Sequence, residues 1–176
     1  MTPLARWLAA LRGSDAAARA DAAQRLPGVT TPQTAAAVAD ALAHALADPE
    51  PAVRGHAAAG LAALGDARAL PALVRTLGDV PDILHVPHTL ATHVLMRQGE
   101  AALPHVVPLL LSSDALQRQR AYAVLQAIVM GTRGSAGWQA LWLAQGGYNP
   151  RDADTARRDA AAGLWAAWVA QQARPP

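Results

Sequence analysis

The feature that most constrains the fold of this chain is an internal repeat. The segments LPALVRTL (70–77) and LPHVVPLL (103–110), offset by 33 positions, both carry apolar residues at positions i, i+3, i+4 and i+7. That spacing places the apolar side chains on one face of a helix. A further copy lies upstream at an offset of 31, where Leu42 corresponds to Leu73. A chain built from such copies folds as stacked units that bury their apolar faces against one another.

Longer offsets show that the repeat continues through the rest of the chain. Three residues of the clearest unit recur at an offset of 66, which is twice the period. The pairs are Asp48 and Asp114, Arg54 and Arg120, and Gly65 and Gly131. The segment 54–61 is echoed again by 157–164, which shares an arginine, three alanines, a glycine and a leucine. The sequence therefore predicts an array of similar units with a partial copy near its C-terminus.

Each unit is predicted to contain two helices. In the clearest unit Asp48 is suited to cap the first helix, because its carboxylate accepts hydrogen bonds from amides of the first turn, and Pro49 then occupies the first helical position. Gly65 is expected to end that helix with a positive φ. Asp114 has the same capping role in the fourth unit, where the glycine-rich segment 131–137 predicts a flexible turn.

The composition agrees with a helical core. Alanine is the commonest residue, aromatic residues make up 4% of the chain and phenylalanine is absent. Alanine is the best helix former and is depleted in strands, so this composition favours closely packed helices over a sheet. We therefore predict an all-α fold with nine or ten helices and no β-sheet. The absence of cysteine excludes disulfides, cysteine-bound zinc and thiol catalysis.

The charge pattern bears on partners and location. All 15 basic residues are arginine, 13 residues are acidic and the formal net charge is +2. The arginines are scattered rather than clustered, so a nucleic-acid partner is not expected. No apolar run approaches the ~18 residues of a membrane span, and Arg6 and Arg12 interrupt the N-terminal apolar stretch, which argues against a signal peptide. We expect a cytoplasmic protein without membrane association.

The clearest unit, at 48–77, resembles HEAT repeats of the short bacterial type also found in phycobilisome lyase-like proteins, and the resemblance covers about positions 13–146. It rests on Asp48, Arg54, Ala57, Ala58, Leu61, Leu64, Gly65, Leu70, Pro71, Leu73, Val74 and Leu77. It implies a right-handed α-solenoid of about four to five helix pairs, with first helices on the convex side and second helices on the concave side. The period is shorter than the roughly 40–47 residues of standard HEAT arrays.

Ankyrin repeats, whose period is also about 33 residues, are the rival architecture. Their Thr-Pro-Leu-His-x-Ala element is missing from every unit, and the helical stripes are longer than ankyrin helices. We therefore predict one HEAT-like domain over residues 1–176. It is divided into an N-terminal capping helix (1–12), four repeats (13–147) and a C-terminal capping unit (148–176).

Enzymes built on HEAT scaffolds define the catalytic alternatives. Deoxyhypusine hydroxylases hold two irons through His-Glu dipeptides, and neither Glu50 nor Glu100 of this chain follows a histidine. An alkylpurine DNA glycosylase-like or phycobilin lyase-like enzyme remains the alternative, although the predicted concave face has no nucleophile, acid–base pair or phosphate loop. We predict a non-catalytic scaffold or adaptor that binds a protein or peptide partner without a cofactor.

Four of the six histidines fall within one window and raise the question of a metal site. They are His85, His88, His93 and His105. Ligand pairs on a helix need an i, i+4 spacing, whereas His88 and His93 are i, i+5 and Pro87 separates His85 from them. We therefore predict no metal site and assign these histidines to capping, polar surface or a hydrogen-bonded pocket.

The second helices supply the predicted partner-binding face. Aligning the units gives two columns of residues that point away from the first helices. One contains Ala41, Ala72, His105 and Trp138, and the other contains His44, Arg75, Pro108 and Leu141. The predicted partner-binding residues are His44, Arg75, His105 and Trp138. A mixed arginine, histidine and tryptophan surface suits an acidic or amphipathic peptide.

Tryptophans cluster near the C-terminus at helical spacing. Trp138 and Trp142 are i, i+4, and Trp165 and Trp168 are i, i+3, so each pair shares a helical face. A repeat array must close its terminal apolar face, and large rings do this in a core short of bulk. We predict that the second pair covers the preceding helices as a structural cap, close to Trp142 and Leu143. An exposed partner surface is the alternative.

Overall fold

The computed structural model describes residues 1–79 and 88–172 of the 176-residue chain. Over those residues every regular element is helical and no strand is present. The α-helices are α1 (Pro3–Ala10), α2 (Ala16–Arg25), α3 (Ala35–Ala45), α4 (Pro51–Ala63), α5 (Ala69–Arg75), α6 (Leu90–Gln98), α7 (Leu103–Val106), α8 (Ala115–Ala144) and α9 (Thr155–Gln172). Short 3-10 segments extend several of them, at Leu26–Val29, Thr76–Gly78, Gly99–Ala102 and Val107–Leu111. The all-α prediction is confirmed.

Two compact units make up the chain, an N-terminal unit (Met1–Val80) and a C-terminal unit (Pro81–Pro176). In the N-terminal unit α4 is the central helix, and it packs against α2, α3 and α5. Small side chains line these contacts, since Ala22, Ala23 and Ala57 are fully buried within the core. Side chains at a contact set the distance between two helices, so the alanine-rich composition results in close packing. The predicted boundaries at positions 12 and 147 lie inside the two units and stay a prediction.

One glycine in α4 lies against the neighbouring helices. A Cβ atom built on Gly60 would lie 2.9 Å from Leu42 Cδ1 and 3.3 Å from the carbonyl oxygen of Ala23. A side chain there would displace Leu42, which is itself fully buried, and would press on the backbone of α2. Gly163 in α9, its counterpart in the echo of segment 54–61, is open on all sides, with nothing within 4 Å of an added Cβ. The two glycines match in sequence but differ in structural role.

The start of α4 differs from the prediction. The helix begins at Pro51 with Glu50 as its N-cap, rather than at Pro49 after Asp48. Asp48 is not the cap because its carboxylate is engaged nearby. It accepts two hydrogen bonds from the Arg19 guanidinium, at 2.7 and 2.9 Å, and one from the Glu50 amide at 2.9 Å. A proline still occupies the first helical position, where its missing amide hydrogen is no loss.

Glycines with positive φ end or bend helices in both units. Gly65 has a φ of 69° and follows the last turn of α4, as predicted. In the C-terminal unit Gly134 has a φ of 70° and a ψ of 175° within α8. Glycine adopts this conformation without a Cβ clash, so α8 consists of two helical segments that meet at a kink at Gly134. The kink lies within 131–137, where the sequence predicts a turn, although it is confined to one residue.

The C-terminal unit is organised around the 3-10 segment Val107–Leu111, which packs against both α8 and α9. Asp114 is the N-cap of α8, and its Oδ1 accepts the Leu116 amide at 2.8 Å. Tyr148 is buried in this core, and its hydroxyl donates to the Leu110 carbonyl oxygen at 2.7 Å. Burial raises the pKa of Tyr148 to about 12. The phenol therefore serves as a neutral hydrogen-bond donor inside the unit.

Trp165 lies at the centre of an aromatic cluster in the same unit. It is fully buried and stacks on Trp138, with ring centres 5.7 Å apart and planes 17° apart. Trp168 meets Trp165 edge-on at 5.5 Å and stays partly exposed. This placement corrects the prediction, because Trp142 instead donates to a backbone carbonyl at 2.9 Å and Leu143 is 61% exposed. The ring that the last helix covers is that of Trp138.

Gly60→Ala is expected to destabilise the protein, although alanine is the better helix former. The added methyl would overlap Leu42, and overpacking of a core costs about 1–3 kcal/mol. Gly163→Ala is the matched control and is expected to stabilise α9 by roughly 0.5–1 kcal/mol. Urea unfolding followed by circular dichroism measures both changes. Equal effects of the same sign at the two positions would contradict the close packing at Gly60.

Trp165→Ala is expected to cost about 3–5 kcal/mol of unfolding free energy, the usual range for removing a buried tryptophan. Trp168→Ala is expected to cost less, because part of its ring is exposed. The same urea titrations give both values. If both variants unfolded like the unsubstituted protein, the two rings would not act as a structural cap. That result would favour the alternative of an exposed partner surface.

Candidate partner-binding face

An arginine occupies the fourth residue of four helices. These residues are Arg19 in α2, Arg54 in α4, Arg118 in α8 and Arg158 in α9. These helices correspond to the first helices of the repeated pairs, whereas α3 and α5 are second helices. In each case the guanidinium turns back to the loop that leads into its own helix.

The contacts of Arg54 show the arrangement. Its Nη1 donates to the carbonyl oxygens of Asp48 and Pro49, both at 2.8 Å. The same two loop positions, i−6 and i−5 from the arginine, accept from Arg19 at 3.1 and 2.9 Å and from Arg118 at 2.7 and 2.9 Å. Arg158 reaches the first of these positions at 3.3 Å. Carbonyl groups of each loop thus receive charged donors, which make stronger hydrogen bonds than neutral ones.

In the N-terminal unit the other edge of each guanidinium binds an aspartate just beyond the second helix of the same pair. Arg19 holds Asp48 through two hydrogen bonds, and Arg54 Nε donates to Asp79 at 2.8 Å. The first pair is well shielded from solvent, since the side chains of Arg19 and Asp48 are 13% and 10% exposed. Each of these arginines therefore connects the loop before its own helix to the loop after the second helix of the pair.

This geometry lowers the pKa of Asp48. The largest cause is the hydrogen bonding from Arg19, which favours the ionised carboxylate, while partial burial opposes it and the Glu50 amide adds to the lowering. A related pair sits in the next loop, where Arg68 lowers the pKa of Asp66 to about 2 through its side chain and its amide. The carboxylates of Asp48 and Asp66 are therefore charged at neutral pH.

The arginine contacts correct the register of the repeats. An offset of 66 pairs Arg54 with Arg120, whereas the structure gives the role of Arg54 to Arg118, at an offset of 64. Arg118 Nε also donates to a carbonyl of the following loop, at 3.3 Å. At the C-terminus the equivalent residue is Arg158 rather than Arg157. The signal that identifies these arginines is their position as the fourth residue of a helix, and a fixed repeat period does not find it.

Two grooves on the N-terminal unit lie beside the second helices, with volumes of about 500 and 290 Å³. The first is lined by Leu11, Arg12, Ala41, His44, Ala45, Ala47 and Asp48. The second is lined by Leu46, Arg54, Ala72, Arg75, Thr76 and Asp79. Four pairs of lining residues are equivalent at an offset of 31: Ala41 and Ala72, His44 and Arg75, Ala45 and Thr76, and Asp48 and Asp79. The grooves are therefore one feature that repeats with the fold.

The structure places the four predicted partner-binding residues in different surroundings. His44 and Arg75 are exposed and occupy equivalent positions in the two grooves. His105 is half-buried in α7 of the C-terminal unit. Trp138 is only 6% exposed because Trp165 covers its ring. The prediction that Trp138 faces a partner is therefore wrong, since its ring is part of the core.

Arg12 is a groove residue that the sequence analysis missed. It is exposed at the edge of the first groove, shortly after the end of α1. Within residues 1–79 and 88–172, neither the Arg12 guanidinium nor that of Arg75 makes a hydrogen bond or an ion pair. No periodic position predicts Arg12, because α1 precedes the first full repeat. Arg12 lines the groove only because the fold brings the end of α1 beside α3.

Among the clustered histidines, those that the structure describes make contacts with nearby residues. The rings of His88 and His93 stack with centres 5.5 Å apart, and His93 Nδ1 lies 3.0 Å from the Thr89 carbonyl oxygen. His85 lies outside the described residues. Among the residues that are described, no group of three or more histidine, aspartate or glutamate side chains is placed to hold a metal ion.

Comparison with protein families agrees with the repeated geometry. The family model described as HEAT repeats matches residues 4–86 and residues 40–126. The chain belongs to the HEAT-repeat family. The predicted α-solenoid class of fold is confirmed by this match and by the helical content of the described residues. HEAT repeats commonly serve as protein-interaction scaffolds and are generally non-catalytic.

Other comparisons add nothing to this assignment. No curated protein and no solved structure matches the chain. The family match does not distinguish the short bacterial, phycobilisome lyase-like type of HEAT repeat from others. In the described part of the chain, no helix combines the length and the apolar character needed to cross a membrane.

Asp48→Asn is expected to lower the thermal midpoint at pH 7 and to flatten its fall in acid. Because the native pKa of Asp48 lies below that of the unfolded chain, its stabilisation is present above roughly pH 4 and is lost as pH falls through the native pKa. The variant has no such carboxylate to protonate. Differential scanning calorimetry between pH 2 and 7 measures the effect.

Asp21→Asn is the control for this measurement. It removes a pair with Arg25 whose side chains are 42% and 58% exposed, respectively. Exposed pairs contribute little, so the midpoint at pH 7 should change by less than about 3 °C. A curve for Asp48→Asn that ran parallel to that of the unsubstituted protein at every pH would contradict the role given to the Arg19 contact.

Proposed function

We propose that this protein is a non-catalytic HEAT-repeat module that binds a protein or peptide partner on the face formed by α3 and α5. The observation that carries the proposal is the repetition of one groove beside two successive second helices, with His44 exposed in one and Arg75 in the other. In repeat proteins, equivalent residues line up along an extended surface. Such a surface suits a ligand that crosses several repeats.

The carboxylates of the grooves support a binding role over a catalytic one. Asp48 in the first groove is held by Arg19, and Asp79 in the second by Arg54. A general acid needs a pKa near the working pH, and the Arg19 contact moves that of Asp48 in the opposite direction. The alkylpurine DNA glycosylase-like and phycobilin lyase-like alternatives need a reactive group, and no observation in these grooves favours one.

The proposal also includes the predictions on repeat type, location, partner class and terminal caps. We retain a short bacterial, phycobilisome lyase-like type of repeat, a cytoplasmic location, and a partner that is not nucleic acid. Packing of Leu4, Trp7 and Leu8 of α1 against the core of the N-terminal unit supports a capping role for segment 1–12. Complete burial of Trp165 supports a closing role for segment 148–176. Of the predicted binding residues, His44, Arg75 and His105 remain.

His44→Glu combined with Arg75→Glu in one chain is expected to abolish partner capture. The two substitutions reverse the charge of the face, and both side chains are exposed, so the fold should tolerate them. The immobilised full chain is incubated with lysate of the source cells, and retained proteins are quantified by mass spectrometry. A specific partner should be retained by the unsubstituted chain and lost from the double variant.

Arg97→Glu is the control for this capture experiment. Arg97 is an exposed arginine of α6 in the C-terminal unit and lines neither groove. This variant should retain the partner at an unchanged level, and thermal melts should show that all variants are folded. Retention of the same partner by the double variant, or no specific partner for the unsubstituted chain, would contradict the proposal.

A further inference from the structure

We infer that the N-terminal unit recognises two acidic side chains at i and i+3 of a peptide in the polyproline II conformation, with one carboxylate in each groove. This inference rests on the proposed function and adds the chemistry and the spacing of the ligand. It follows from three features of the grooves: cations that have no ionic partner among the described residues, the neutralisation of the grooves' own carboxylates, and the single helix that separates the grooves.

The first feature is the cation in each groove. Arg12 in the first groove and Arg75 in the second are exposed, and neither guanidinium has an ionic partner among the described residues. His44 lines the first groove together with Arg12, and its Nδ1 is only 2.7 Å from the Asp40 carbonyl oxygen. That contact turns the other ring nitrogen away from the backbone. A guanidinium presents paired donors that match the two oxygens of a carboxylate.

The second feature is the state of the carboxylates that line the grooves. Asp48 and Asp79 would repel an acidic ligand if they were free. Arg19 neutralises the first at 2.7 Å and Arg54 the second at 2.8 Å. The internal ion pairs therefore leave the charge of each groove to Arg12 and Arg75. The charge of the grooves is positive although the net charge of the chain is only +2.

The third feature is the distance between the grooves. Helix α3 and the turn at its C-terminal end separate them, since Ala41, Ala45 and Ala47 line the first groove and Leu46 lines the second. Neighbouring helices pack about 8–10 Å apart, so equivalent points of the two grooves, such as those beside His44 and Arg75, lie about one such spacing apart. A peptide in the polyproline II conformation advances about 3.1 Å per residue with three residues per turn, so its side chains at i and i+3 point to the same side. Carboxylates at i and i+3, about 9 Å apart by that rise, therefore match the two grooves.

The lining residues fit a polyproline II backbone. Ala41, Ala45 and Ala72 are small and allow close approach of a peptide between the charged edges. The Thr76 hydroxyl in the second groove already donates to the Leu73 carbonyl oxygen at 2.9 Å. It therefore does not compete with Arg75 as a donor to a bound ligand. Recognition is assigned to the guanidinium groups, and the alanines set the shape of the path.

The test uses three synthetic peptides of identical composition on the ¹⁵N-labelled full chain. Each is a dodecapeptide with two aspartates in a glycine, serine and alanine background, and the aspartates are at i and i+1, i and i+3, or i and i+6. Proton–nitrogen spectra that include the arginine Nε–H signals follow each titration. We expect the i, i+3 peptide to shift the signals of Arg12 and Arg75 together and to bind at least fivefold more tightly than the other two peptides.

Variants separate groove recognition from general charge attraction. Arg12→Gln and Arg75→Gln should each weaken binding of the i, i+3 peptide about tenfold, the change expected when one charged contact of about 1.4 kcal/mol is lost. Arg97→Gln removes the same charge outside the grooves and should leave the affinity unchanged. Arg75→Lys keeps the charge but not the paired donors, and should recover only part of the affinity.

Each contrary outcome overturns a defined part of the inference. Equal affinity for the three peptides would refute the paired spacing, and equal affinity of a single-stranded oligonucleotide with two phosphates would refute recognition of an acidic peptide. Absence of shifts at both arginines would refute the site. If capture of a partner is lost in the His44→Glu, Arg75→Glu chain while the peptides show no spacing preference, the proposed function stands and this inference fails.

Discussion

The repeated structure depends on a guanidinium group placed at the fourth residue of four first helices. A loop that joins two packed helices carries carbonyl groups that the helices themselves do not satisfy. Arg19, Arg54 and Arg118 each supply donors to two such carbonyls. Because Arg19 also binds Asp48, which lies just before α4, one side chain fixes the geometry of its own loop and the position of the next first helix in the N-terminal unit.

The same interaction sets the charge of the proposed binding face. If Asp48 and Asp79 were not held by arginines, both grooves would have mixed charge and no clear preference for a ligand. With those carboxylates paired, the cations left over are Arg12 and Arg75, whose guanidinium groups have no ionic partner within the described residues. The internal pairs thus stabilise the repeats and also leave the grooves positive. The proposed binding chemistry therefore depends on arginines to which no ligand contact is assigned.

Much of the fold was predictable from the sequence because local features determine it. The alanine-rich helices and the end of α4 at Gly65 follow from helix propensity and from the freedom of glycine at positive φ. The start of α4 was not predictable in the same way. Asp48 is a suitable N-cap by residue type, and only its contact with Arg19, which is distant in sequence, shows why its carboxylate is used differently.

The candidate site was predictable only in part, for a similar reason. The repeat offset between the first two second helices correctly places His44 and Arg75 in equivalent grooves. It fails for Trp138, because burial of that ring depends on where the last helix brings Trp165. It also fails for Arg12, which precedes the first full repeat. Periodicity shows which residues are equivalent, but tertiary packing decides which of them reach solvent.

A double-mutant cycle between Arg19 and Asp48 tests most directly whether an arginine joins successive repeats. Arg19→Gln, Asp48→Asn and the double variant are unfolded with urea at pH 7, and the coupling free energy is compared with that of the exposed pair Arg25 and Asp21. The reference pair has a short contact of 2.6 Å but is about half exposed. The account predicts a clearly larger coupling for Arg19 and Asp48. A coupling equal to or smaller than that of the reference pair would contradict it.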